Sequence, residues 1–197
     1  MTPRSLHRAL GVTMLLPLLA WAVTGAFFFI KPGYGGAYES LGVRTYPLTT
    51  TISMPPSADW REVRYLRTVL GDHLIARTES GWRQLDPVTL QERPTASDAD
   101  VRALVTDAFT ANPERYGQIA TIDDALVTTD TGVRTTIDWN RLSLSQRGRD
   151  TDRIDAIYRV HYLQWTGVEW LDKILGGLGL LLIVALSAAG LRLLIRR

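Results

Sequence analysis

The sequence predicts an α+β protein in which two transmembrane helices flank a small antiparallel-sheet domain. All 20 acidic residues lie between Lys31 and Lys173, whereas the two terminal segments carry five basic residues and no acidic ones. Each terminal segment also contains an apolar run of the length needed to cross a bilayer core of about 30 Å. The segment between them alternates short strand patterns with turns and one helix, which is typical of a small α+β domain.

The first transmembrane helix is predicted within residues 1–31. Gly11 to Ile30 is a run of 20 residues without a charge, and Pro17 inside it is expected to kink the helix. A cleaved signal peptide is the alternative, because the start is basic and Ala20-Trp21-Ala22 resembles a cleavage site. The apolar core of a signal peptide spans roughly 7–15 residues. This run is longer, and we therefore predict a retained helix.

The second transmembrane helix is predicted within residues 174–197. Ile174 to Ile195 contains a single charge, Arg192, which lies near the end where it can reach the headgroups. Basic residues flank the cytoplasmic ends of membrane helices, and both short tails are basic. We therefore predict that both termini are cytoplasmic and that the middle domain is extracytoplasmic. The glycines of both helices predict close helix packing, either within the chain or between two copies.

The middle of the chain is predicted to contain a linker and one folded domain. Residues 32–60 are interrupted by proline and glycine and form the linker, and residues 61–150 form the domain. A helix is predicted over Asp98–Ala111, with Ser97 as its N-cap. The predicted strands, which are expected to form one antiparallel sheet, are Val63–Val69, His73–Thr78, Trp82–Leu85, Gln118–Ile122, Ala125–Thr129 and Val133–Trp139.

Residues 151–173 are predicted to form an amphipathic, interfacial helix. Thr151 or Asp152 would cap it, and the helix would run from Arg153 toward Leu163 and lead into the second transmembrane helix.

The composition excludes several classes of function. There are no cysteines, which excludes disulfides, thiolate metal sites and cysteine nucleophiles. The middle segment has a net charge of −3, so a nucleic-acid partner is not expected. Ser143 and Ser145 have no base nearby in the sequence, and the acidic clusters are typical of turns and helix caps. We predict no catalytic residues and no metal site.

Histidine is the only candidate for holding a cofactor. Haem is often bound between imidazoles from facing helices. His7 and His161 are predicted at opposite ends of the bilayer, about 30 Å apart, so a second copy or a partner would have to supply the second ligand. The structural alternative is that His7 is an interfacial basic residue and that His161 packs among nearby aromatic residues. His73 lies in a strand and is not expected to bind haem.

Both ends of the chain resemble the PepSY-associated transmembrane family. The motifs that carry the resemblance are RSLHRALG over residues 4–11, Trp21, Thr24-Gly25, Phe27 and KPGY over residues 31–34, then YRVHYLQWTG over residues 158–167, Leu175-Gly176 and Gly190-Leu191. The segment from Tyr65 to Arg93 resembles a PepSY module, with LDPVT over residues 85–89. The usual module has a glycine after this threonine, where the chain has Leu90.

The resemblance implies a bacterial inner-membrane protein with a periplasmic PepSY-like domain that serves as a non-catalytic binding or regulatory component. Its expected partners are membrane lipid and either a second copy or another membrane or periplasmic protein. The alternative is a haem-binding redox subunit related to ferric-siderophore reductases of iron uptake. Those larger relatives have four transmembrane helices and paired histidines. By resemblance, His7 and His161 match histidine positions of the family and would bind the haem, and whether the chain is an enzyme stays open.

Overall fold

The computed structural model describes residues 3–49 and 59–195. The chain forms two compact units. We call Met1–Tyr34 together with Thr151–Arg197 the helical unit, and Gly35–Asp150 the sheet unit. Residues 35–49 of the predicted linker belong to the sheet unit, and residues 50–58 of that linker lie outside the described residues.

The order of elements confirms the α+β class. The helices are α1 (Pro3–Ile30), α2 (Tyr34–Ala37), α3 (Asp98–Phe109), α4 (Pro113–Tyr116), α5 (Arg149–His161) and α6 (Glu169–Ile195). The strands are β1 (Glu62–Thr68), β2 (Gly71–Thr78), β3 (Gly81–Leu85), β4 (Ile119–Asp123), β5 (Leu126–Thr129), β6 (Arg134–Asp138) and β7 (Ser143–Arg147).

In the helical unit, α1 and α6 are the two helices that are long and apolar enough to cross a membrane. Their mean hydropathies reach 2.0 and 2.4. The two helices pack against each other: a Cβ at Gly11 would lie 3.9 Å from Leu186, and one at Gly190 would lie 3.2 Å from His7. Because the early part of α1 meets the late part of α6, the two helices are antiparallel. The chain is therefore a membrane protein with a span at each end of the sequence.

The strands of the sheet unit form two antiparallel sheets and not the single sheet that we expected. One sheet has the order β1-β2-β3 and the other β4-β5-β6-β7. Each consists of strands that follow one another in sequence, and α3 and α4 separate the two groups. The strand patterns alone could not reveal this division, because each hairpin satisfies its own local pairing.

Helix α3 supplies the apolar stripe around which the larger core forms. Ser97 caps it as predicted, with Asp100 completing a reciprocal capping box. Phe109 is 4% exposed and stacks on the Tyr116 ring with 4.5 Å between centroids. The other buried residues of this core are Leu41, Val101, Val105, Ala108, Val127, Val133 and Ile137.

A buried arginine ties the beginning of the sheet unit to its end. Arg115 donates to Asp150 Oδ2 at 2.6 Å and to Gln146 Oε1 at 2.8 Å, and its side chain is 11% exposed. Gln146 in turn donates to the backbone oxygens of Ala37 and Glu39, at 3.3 and 2.9 Å. The segments that enter and leave this unit are therefore held side by side.

Three features of the C-terminal half differ from the prediction. Strand β7 was not foreseen, and α5 begins at Arg149, four residues earlier than expected. Residues 151–173 do not form one helix, since α5 ends at His161 and α6 starts at Glu169. Leu163 and Gly167 adopt left-handed backbone conformations, with φ of 56° and 73°, which interrupt the helix.

Candidate functional site

His161 lies at the last turn of α5 and hydrogen-bonds to α1. Its Nδ1 is 2.8 Å from Thr24 Oγ1. Thr24 is 8% exposed, and its hydroxyl is 2.7 Å from the carbonyl oxygen of Ala20 one turn earlier. The contact therefore joins two helices of the helical unit through a single buried hydroxyl.

The hydrogen bonds of Thr24 favour one tautomer of His161. A hydroxyl has one proton, and a threonine within a helix can donate it to the carbonyl oxygen one turn earlier, here that of Ala20 at 2.7 Å. The oxygen of Thr24 then accepts from Nδ1–H, so the neutral imidazole carries its lone pair on Nε2. Among the described residues, none forms a hydrogen bond with this Nε2. A fixed Nδ1–H with a free Nε2 is the arrangement of an imidazole that ligates a metal.

Aromatic rings surround the His161 imidazole. Phe28 and Tyr162 meet it edge-on, at 4.9 and 5.4 Å between centroids, and the tilted ring of Trp21 lies at 6.4 Å. Tyr158 stacks on Phe28 at 4.3 Å and so extends this aromatic surface. Flat apolar rings of this kind can pack against a large planar ligand and exclude water from it.

His7 lies near the start of α1 and packs against α6. Gly190 provides the space, because a Cβ there would be 3.2 Å from Cε1 and 3.6 Å from Nδ1 of the imidazole. Nδ1 of His7 is buried and has no hydrogen-bond partner in the part of the chain that the structure describes. The packing of its ring against Gly190 therefore contributes to the contact between α1 and α6.

The structure does not bring His7 and His161 together. Thr24, the partner of His161, is 17 residues beyond His7 on α1, which corresponds to about 25 Å along the helix axis. Within residues 3–49 and 59–195, no cluster of three or more histidine or acidic side chains has the spacing of a metal site. His7 and His161 therefore each offer a single imidazole, and the two imidazoles lie at different levels along α1.

His73 on β2 is built into the sheet unit. It is fully buried, with Nε2 2.8 Å from Thr68 Oγ1 and Nδ1 2.9 Å from Gln84 Oε1. Arg93 Nη1 also lies 2.8 Å from Nδ1. Burial lowers the pKa of His73, and the charge of Arg93 lowers it further, so the ring is neutral near pH 7.

Thr24 is the site residue whose role the sequence reasoning missed. It was noted only as part of a family motif, and the pairing with His161 spans 137 positions of sequence. One signal was available, because polar side chains within membrane helices are enriched at interhelical contacts. The partner could not have been named from that signal.

A second group of side chains stands out on the sheet unit, around Trp82. The guanidinium carbons of Arg64, Arg77 and Arg141 lie 4.7, 5.7 and 5.8 Å from the centre of the indole. Their side chains are 54%, 49% and 57% exposed. Glu62 pairs with Arg64 at 2.9 Å and with Arg77 at 3.7 Å, so one carboxylate contacts two of the three arginines. We call Trp82 and these three arginines the Trp82 surface.

The comparison with known families gives one match. The model of the PepSY-associated TM region matches residues 2–197, which is nearly the whole chain. No curated protein and no solved structure matches the sequence.

Proposed function

The chain belongs to the PepSY-associated TM region family, and we propose that it is a non-catalytic module of the bacterial inner membrane whose sheet unit binds or regulates a protein partner in the periplasm. The Trp82 surface carries this proposal. Tryptophan and arginine are the residues most enriched at the energetic centres of protein interfaces. Here they are ordered by one another before any partner arrives, which lowers the entropy cost of binding.

Site-specific photocrosslinking in cells tests the binding role. A photoreactive residue at position 141 should give a discrete crosslinked product, and Arg64→Ala, which leaves the packing of Trp82 against the buried core intact, should reduce that product. Arg83 lies on the same strand as Trp82 but on the opposite face, since neighbouring strand residues alternate. A photoreactive residue at position 83 is the matched control and should give no such product. Equal products from both positions would contradict a specific surface.

The proposed orientation rests on the basic tails. We propose that both termini are cytoplasmic and that Thr95 is periplasmic, because lysine and arginine near span ends favour the cytoplasmic side. Reporter fusions measure this directly. A reporter active only in the periplasm should work when inserted at Thr95 and fail at the C-terminus, and activity at the C-terminus would refute the orientation.

Haem binding is a second candidate function, favoured by the Nε2 of His161, which has no hydrogen-bond partner among the described residues. His161 would supply one ligand to the haem, because the imidazole is oriented by Thr24 and flanked by aromatic rings. His7 would offer the corresponding position at the other depth. A second copy or a partner would have to complete each site. Bound haem would supply one-electron chemistry of the kind needed to move electrons toward ferric iron.

Optical spectra of the detergent-purified protein separate the two candidates. A reduced haem band in near-stoichiometric amount would support the redox role, and a featureless spectrum would remove it. If the band is present, His161→Ala should abolish or shift it, and His7→Ala should affect a separate haem. His73→Ala is the control and should leave the band unchanged, because both nitrogens of His73 face protein partners. A spectrum unaffected by both His7→Ala and His161→Ala would place the ligands elsewhere.

A further inference from the structure

The turn between α5 and α6 begins level with the apolar part of the spans. The side chain of Leu163 contacts α6 at Gly179, five residues beyond Ile174, the first residue of the apolar run. That offset corresponds to about 8 Å along the helix. On the other side, His161 meets α1 at Thr24, six residues before α1 ends at Ile30, or about 9 Å. Both contacts place the start of the turn deeper in the membrane than the outer ends of the two spans, and the turn ends at the outer start of α6, which is Glu169.

The turn is polar and borders a groove of about 550 Å³. Residues from the end of α5, the turn and the start of α6 line the groove, including Arg159, Tyr162, Gln164, Glu169, Lys173 and Gly177. Lys173 Nζ is 2.6 Å from Glu169 Oε1, and the two side chains are 74% and 84% exposed. A pair as exposed as this contributes little and can exchange partners.

Physical constraints at this depth favour a polar occupant for the groove. Irregular backbone is tolerated within the membrane only where protein buries it or where it lines a polar cavity. Hydrocarbon tails would leave Arg159 and Gln164 without partners, at a large cost in free energy. The occupant must therefore present polar groups toward α5 and the turn.

The charged side chains of the groove are complementary to a zwitterionic ligand, which carries both a negative and a positive group. Arg159 and Lys173 are two cations, and Glu169 is the one carboxylate left to bind a ligand. Asp172 also borders the groove, but its Oδ1 accepts from the backbone nitrogen and the hydroxyl of Thr166, at 3.0 and 2.8 Å.

We propose that this groove binds the head group of phosphatidylethanolamine. The phosphate would lie between Arg159 and Lys173, because guanidinium and ammonium groups are strong phosphate donors. The primary ammonium of the lipid would pair with Glu169. Gly177 leaves an open track on α6 along which an acyl chain can extend, since nothing lies within 4 Å of its Cβ position. The exposed indoles of Trp165 and Trp170 are typical of the membrane interface where head groups lie.

The groove and the surroundings of His161 share Tyr162, but they face different helices. Arg159 and His161 are two positions apart on α5, which places their side chains about 200° apart around the helix axis. His161 hydrogen-bonds to α1, and Arg159 borders the groove beside α6. Lipid binding in the groove therefore does not use the imidazole of His161.

Native mass spectrometry of the full chain, titrated with lipids of identical acyl chains, tests the proposal. We expect one phosphatidylethanolamine per chain, bound at least about tenfold more tightly than phosphatidylcholine or phosphatidylglycerol. The choline lipid has the same phosphate but no ammonium hydrogen to donate, and the glycerol lipid lacks the cation. Equal retention of the three lipids would show unselective contact with the bilayer and overturn the proposal.

Two variants locate the site on the protein. Arg159→Gln should weaken phosphatidylethanolamine binding about tenfold, and Arg153→Gln, an exposed position on the same helix outside the groove, is the matched control. Gly177→Leu should weaken binding without changing any charge, and leucine favours the helix, so this variant tests the groove even if Arg159→Gln fails to fold. Wild-type affinity in Gly177→Leu would overturn the proposal. Displacement of the lipid by millimolar inorganic phosphate would do so too, because it would identify a site for a soluble ion.

Discussion

Two histidines, one in each unit, show how differently the two regions use a buried polar ring. His73 in the sheet unit is fully buried, and both of its nitrogens face protein partners. His161 in the helical unit has one nitrogen fixed by Thr24 and the other without a partner among the described residues. The first arrangement satisfies the ring and stabilises a fold, whereas the second leaves a lone pair for a ligand. A histidine in a sequence therefore predicts little until both ring nitrogens are accounted for.

The largest expected effect concerns the core of the sheet unit. Phe109→Ala should lower the free energy of unfolding by about 3–5 kcal/mol, because the ring is 4% exposed and its removal leaves a cavity beside Tyr116. Urea unfolding of the detergent-solubilised full chain, followed by circular dichroism, measures the change. Val88→Ala is the control, since Val88 is 88% exposed and should change stability by less than about 0.5 kcal/mol. A loss below about 1 kcal/mol for Phe109→Ala would show that this core assignment is wrong.

The comparison of the histidines also predicts a pH dependence. Burial and the charge of Arg93 lower the pKa of folded His73 below its ordinary value of 6.5, whereas the unfolded chain retains the ordinary value. The unfolded state therefore binds more protons as the pH falls below 6.5, and the stability of the sheet unit should decrease from pH 7.5 to pH 5.5.

His73→Gln provides the control for this effect, because glutamine keeps polar groups in the site but does not titrate. Urea midpoints of both proteins at the two pH values are the measurement. We expect the wild type to lose more stability than the variant on acidification. Parallel losses would mean that other groups cause the pH dependence.

The smallest expected effect concerns the contact between α1 and α5. Thr24→Val preserves shape but removes the acceptor for His161, and interhelical hydrogen bonds in membranes contribute about 0.6 kcal/mol on average. Thr24→Ser keeps the hydroxyl and should retain more of this contribution. Thermal unfolding in detergent micelles compares the two variants. A Val variant as stable as the Ser variant would show that this hydrogen bond does not stabilise the helical unit.

The sequence was most informative where the signal is local. The apolar runs identify both spans, and the capping residue Ser97 and the stripe through Phe109 identify α3. Strand β7 was missed because Leu144 is the single apolar side chain in its five residues, so no alternation was visible. The break between α5 and α6 at Leu163 was also missed, because few non-glycine residues adopt a left-handed backbone conformation.

The candidate site was predictable only in part. His161 was selected from its residue type and the family motif, but its contact with Thr24 joins two helices that are distant in sequence. The pairing depends on how α5 packs beside α1, which no local pattern encodes. The Trp82 surface has the same origin, since Arg64, Arg77 and Arg141 come together only through the pairing of strands and the packing of a later turn.

The Arg115 network has an evolutionary consequence. Through Asp150, Gln146 and the backbone at Ala37 and Glu39, it keeps the two ends of the sheet unit adjacent. An insert whose ends meet can be exchanged between two neighbouring helices without changing the spacing of those helices, as domain insertions in other proteins illustrate. Selection can then diversify the sheet unit while it conserves the pair of spans, or diversify the spans while it conserves the sheet unit. Proteins that share the two spans can in this way acquire inserts of different specificity by recombination at only two junctions.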